Sequence, residues 1–213
     1  ETGLRRRTGS RITGSIKTYM IMEHINLNEL RNRAYKTACE HGFHHKELSN
    51  EHLLCLVISE LMEAVEADRK GKRADNVAID TYELIQNIKF CKVIYDNTIK
   101  GSVEEELADA CIRLLDLCGL RNIELENDCL DNEVLEEYSR IFIGKTFTES
   151  IFNITKNLIN IDIVYSLIKI FGLAKHLGID LLWHIEQKQI YNELRLSLIH
   201  ISRAHETVLD LVC

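Results

Sequence analysis

The stretch Leu53-Leu54-Cys55-Leu56-Val57-Ile58-Ser59-Glu60-Leu61-Met62-Glu63-Ala64-Val65-Glu66 decides the fold. Its apolar residues recur at three- and four-residue steps, which is the period of an α-helix and not of a strand. They cover much of the helix circumference, so the helix is expected to be substantially buried. Ser49 or Asn50 suits its N-cap, and Gly71 stops it just past Lys70. Two carboxylates, Glu60 and Glu63, lie three residues apart within this apolar context and so share one face.

Working outward, the same arrangement recurs in Glu104-Glu105-Glu106-Leu107-Ala108-Asp109-Ala110. Ser102 followed by Glu105 reads as a capping box that opens this helix, and Gly119 is expected to end it near Leu117 or Cys118. Glu106 and Asp109 again share a face. Leu107, Ala110, Cys111, Leu114 and Leu115 surround them, as Leu53, Leu54, Leu56, Val57, Leu61 and Val65 surround the first pair. A single E-x-x-E in a helix is more often a solvated face than a site, and Glu66, Glu104 and Glu105 are read that way. Two pairs, each inside an apolar helix, favour a bound cation, because a carboxylate taken out of water needs compensating charge. A hard divalent ion held by oxygens supplies it.

The rest of the chain agrees with an all-α helical bundle. Helices are expected over Leu27–His41, about Asp80–Tyr95, near 147–158, over Ile161–His176, and from an Asp180 N-cap to Arg195. There is no proline in 213 residues, which long helices tolerate better than an all-β chain does. Alternating strand-like runs are scarce. The net charge of −7 argues against broad contact with a nucleic-acid backbone. Seven cysteines without a C-x-x-C pair fit free thiols in a reducing compartment. No stretch is apolar enough to span a membrane, and no secretory signal is visible, so a cytoplasmic location is expected.

Both ends read as foreign. Leu196–Ile201, Leu-Ser-Leu-Ile-His-Ile, matches the translation of a transposon-end sequencing adapter, and Glu1-Thr2-Gly3 matches the same adapter in the opposite orientation. Residues 1–19 are expected to be a non-native or disordered leader, and residues 196–213 an adapter-derived tail. Residues 20–195 then form the functional domain, with a natural start at Met20 or Met22.

With these residues in place, the chain resembles the MazG-like all-α nucleoside triphosphate pyrophosphatases. Leu53–Ala64 looks like that family's first metal helix and Glu105–Ala110 like its second. Lys188-x-x-x-Asn192-x-x-Arg195, entered through Gly172–Asp180, resembles its closing element. The resemblance covers roughly residues 25–72 and 101–195. Forty-two residues separate Glu63 from Glu106, more than compact members allow, so residues 74–100 look like one insertion and residues 124–160 like another.

The resemblance implies Mg²⁺, with Mn²⁺ as a substitute, held by Glu60, Glu63, Glu106 and Asp109. It implies cleavage of a nucleoside triphosphate to monophosphate and pyrophosphate, with Glu60 or Glu63 activating the water. Lys188, Asn192 and Arg195 would bind the substrate. Lys70 and Arg73, in the cationic cluster past the first pair, divide evenly between phosphate binding and a solvated helix end. A homodimer or homotetramer is implied as well. The alternative from another class is a non-catalytic helical nucleotide-binding or interaction protein that kept the fold.

Other signals carry less. Gly144-Lys145-Thr146 lacks the earlier glycine of a P-loop, position 139 being serine. Cys39, His41, His44 and His45 have no zinc-like spacing. Trp183 is expected in packing, His184 at the surface, and Asp116 either behind the metal ligands or beside Arg113 or another cation.

Overall fold

The computed structural model describes residues 26–75 and 92–210, the side chains of residues 127 and 196–210 excepted. The described residues are all-α, without a strand. The helices are α1 (Leu27–Glu40), α2 (Asn50–Arg69), α3 (Lys92–Thr98), α4 (Val103–Leu120), α5 (Asn132–Arg140), α6 (Phe147–Ile159), α7 (Ile163–Leu177) and α8 (Leu181–Asp210), with a 3-10 turn at Asn127–Leu130. No described helix is long and apolar enough to cross a membrane. The leader, Cys91, Cys213 and most of the helix expected over Asp80–Tyr95 lie outside the described residues; the described part of that helix, from Lys92, is helical.

α4 is the axis of the bundle. It packs against α2, α1, α8 and α7, while α5 and α6 close over α7. Val103, Leu107, Ala108, Ala110, Cys111, Leu114, Leu115, Leu117 and Cys118 of α4 are all buried. Each large side chain among them contributes about 1.5–3 kcal/mol of apolar burial. A helix buried on several sides can expose few residues to water, so its polar groups must find partners inside the protein.

Local signals place the helix ends. Ser49 Oγ accepts from His52 N at 3.2 Å, Thr146 and Glu149 form a reciprocal capping box, and Asp180 Oδ1 accepts from Trp183 N at 3.2 Å. Thr146 is thus a helix cap and not part of a phosphate loop. Gly178 ends α7 in the left-handed region at φ +70°.

Three local expectations are corrected. Gly119 does not end α4, which continues to Leu120. A Cβ at position 119 would sit 2.5 Å from Tyr35 Cβ, so the glycine serves the close approach of α1. The Ser102 cap is only half a box: Ser102 Oγ accepts from Glu105 N at 3.2 Å, but the Glu105 carboxylate turns to other donors. α8 continues past Arg195 to Asp210.

Candidate metal centre

Two helices carry the acidic residues, and their close packing brings the residues together. Glu60 of α2 and Glu106 and Asp109 of α4 each offer an oxygen within 4.8 Å of the others. Glu60 and Glu106 are buried and Asp109 is half-buried. Glu63 is exposed and lies outside this group of three, though its charge is among those that raise the Glu106 pKa. The donors are carboxylate oxygens only. Such a set fits a hard cation such as Mg²⁺, Mn²⁺ or Ca²⁺, and lacks the nitrogen or sulfur that zinc sites favour.

Electrostatics point the same way. Burial, then the neighbouring Asp109, Glu105, Glu63 and Glu60 charges, push the Glu106 carboxyl up to about 8. Burial also raises Asp109, to about 7, against the opposing pull of Lys188. Burial disfavours the ionised form of both carboxyls, and the neighbouring acids add to that effect.

Two internal cations share the cluster. Arg113 Nε donates to Glu60 Oε1 at 2.5 Å, joining α4 to α2. Lys188 Nζ lies 2.6 Å from both Glu105 Oε1 and Asp109 Oδ2. Burial disfavours the Lys188 ammonium, but Asp109 and Glu105 outweigh it and its pKa is raised. Glu105 and Asp109 are four apart on α4 and face α8 together.

Glu105 corrects the expectation that it belongs to a solvated face. Its side chain is 3% exposed. Besides Lys188, it accepts from the Tyr95 hydroxyl at 3.0 Å and from the Gly101 N–H. Tyr95 in turn stacks on Tyr191 of α8 with ring centroids 4.6 Å apart. Glu104 is also buried; it accepts from Ala74 N at 2.9 Å and pairs with Arg73. The spacing Glu105–Asp109–Arg113 held a signal for these roles, since all three share one stripe of α4. The partners come from α2, α3 and α8, which no local pattern reveals.

The remaining sequence candidates are spread more widely. Asn192 is half-buried, its carbonyl oxygen 3.4 Å from His41 Nε2, and Arg195 is exposed. Lys70 pairs with Glu66 at 3.0 Å, and Arg73 divides between Asp68 and Glu104. Asp116 takes His44 as its partner, at 2.7 Å. His184 is buried and not at the surface; burial pushes its imidazole down to about 4, and its Nδ1 has no hydrogen-bond partner among the described residues. Trp183 packs edge-on against it. Compared with family models, with curated proteins and with solved structures, the chain gives no match.

Proposed function

We propose that this protein is a Mg²⁺-dependent nucleoside triphosphate pyrophosphohydrolase, with Mn²⁺ able to substitute. The observation that carries the reading is the convergence of Glu60, Glu106 and Asp109 oxygens within 4.8 Å, at a point where the carboxylates outnumber the two cations, Arg113 and Lys188, that pair with them. Glu60, Glu63, Glu106 and Asp109 are the residues that would hold the ion. When bound, it supplies charge neutralisation and orientation of phosphate oxygens.

The protein's own residues do the rest. Glu60 or Glu63 accepts a proton from water as the water oxygen bonds to the α-phosphorus. The bond from that phosphorus to the bridging oxygen of the β-phosphate breaks, leaving a monophosphate and pyrophosphate. Lys188, which pairs with Asp109 and Glu105, is the first substrate-binding residue of this reading. Asn192 and Arg195, further along α8, and Lys70 and Arg73, just past α2, are the other substrate-binding residues of this reading. The reading includes a cytoplasmic location and a homodimer or homotetramer, both of which rest on the sequence.

The test is pyrophosphate release from a panel of NTPs and dNTPs, with phosphoribosyl-ATP included, in Mg²⁺ and in EDTA. Release is expected with Mg²⁺ alone, and Glu63→Gln and Glu60→Gln should each lower it by about 100-fold or more. Release that is unchanged in both variants, or no release from any member of the panel, removes the assignment.

A further inference from the structure

Glu105 adjoins the metal cluster but is not one of its donors, and its surroundings say why. Both its oxygens are taken: Oε1 by the Tyr95 hydroxyl at 3.0 Å and Lys188 at 2.6 Å, Oε2 by the Gly101 N–H. Lys188 Nζ sits equally close, 2.6 Å, to Asp109 Oδ2. Two carboxylates four residues apart on one buried helix face concentrate negative charge, and here an ammonium group bridges them. The ammonium is fixed in place. The Lys188 side chain is only 12% exposed, and its Nζ lies over the Tyr191 ring, 5.6 Å from the centroid.

We propose that Lys188 takes the place of a second metal ion, so that the site is a one-metal centre completed by a lysine. This rests on the metal-site reading above and specifies its stoichiometry. Charge balance supports it. With all five carboxyls ionised, as cation binding requires, Glu60, Glu63, Glu105, Glu106 and Asp109 are offset by Arg113 and Lys188, which leaves an excess of three negative charges. One divalent ion brings that excess to one. A second would make the pocket net positive while Lys188 stays in place, and would have to displace a buried, doubly paired ammonium. An ion pair of this kind is costly to break by removing one partner, since the other is left uncompensated. Removing the Lys188 charge therefore opens a vacancy that a second cation would fill.

The experiment measures bound Mn²⁺ per full-length chain at saturation, by metal analysis after desalting and by electron paramagnetic resonance. The chains compared are wild type, Lys188→Met, Lys188→Gln and Lys188→Arg. Wild type and Lys188→Arg are expected to hold one Mn²⁺ each and to show an isolated-ion spectrum. Lys188→Met and Lys188→Gln are expected to hold two, with the exchange-coupled spectrum of neighbouring ions. The glutamine variant keeps hydrogen-bonding capacity without the charge, so it answers the question if the methionine variant fails to fold by circular dichroism. Two Mn²⁺ in wild type, or one in both folded neutral variants, overturns the one-metal proposal and leaves the metal site standing. No Mn²⁺ in wild type removes the metal site itself.

Discussion

Arg113 Nε donates to Glu60 Oε1 across 2.5 Å, and this contact links α4 to α2 at the rim of the acidic cluster. The Arg113 side chain is 40% exposed and Glu60 is buried, so the pair is half-screened by water. Arg113→Met leaves Glu60 among like charges without its cation. We expect the metal-free variant to lose about 1–2 kcal/mol of stability, a discount on the cost of breaking a fully buried pair. Saturating Mn²⁺ should restore most of that loss. Thermal melts with EDTA and with Mn²⁺ decide the matter: an equal loss in both would mean that Arg113 acts through packing alone.

The metal-free protein should lose stability as pH rises. Glu106 keeps its proton to about pH 8 in the fold, against an ordinary value of 4.5, and burial is the main cause. The unfolded chain ionises first, so across that window the native state binds more protons. Stability therefore falls from pH 4.5 toward pH 8 and levels off above it, with Asp109, raised to about 7, adding to the fall. Urea denaturation in EDTA at about pH 5 and about pH 8 should differ on the order of 2 kcal/mol, and Glu106→Gln should shrink the difference. Mn²⁺ must displace these protons, so its affinity should climb through the same window. A stability curve that rises with pH in EDTA would contradict the electrostatic description.

Two glycines hold helices closer than a methyl group allows. At Gly119 a Cβ would lie 2.5 Å from Tyr35 Cβ, and at Gly172 it would lie 2.7 Å from Tyr138 Cβ and 3.0 Å from the Tyr138 backbone carbon. Alanine gains about 1 kcal/mol of helix propensity over glycine. Overpacking against atoms that cannot rotate away costs about 1–3 kcal/mol, so the clash should win. Gly119→Ala and Gly172→Ala are both expected to lower the melting temperature. A rise in either would show that the neighbouring helix shifts freely.

The helices were legible because their signals are local. Apolar spacing in Leu53–Val65 and Leu107–Leu115, with caps at Ser49, Ser102 and Asp180, needs only the 3.6-residue period and capping chemistry. The pairing of Glu60 with Glu63 and of Glu106 with Asp109 follows from the same period. Gly119 was misread because a glycine that ends a helix and one that admits a neighbouring helix look alike in sequence. Glu105 was misread because its role depends on Tyr95 and Lys188, 10 and 83 residues away. His184 has the composition of a surface residue, and the packing of α8 against α4 and α1 overrides it.

The most direct test of the four-carboxylate site is Mn²⁺ affinity, measured at about pH 8 for wild type, Glu60→Gln, Glu63→Gln, Glu106→Gln, Asp109→Asn and, as an exposed control on α2, Glu66→Gln. Loss of a ligand should weaken binding at least about tenfold, roughly 1.4 kcal/mol, in each of the first four variants. Glu66→Gln should match wild type. If those four variants bind as tightly as Glu66→Gln, the acids do not form a metal site and the hydrolase reading falls with it.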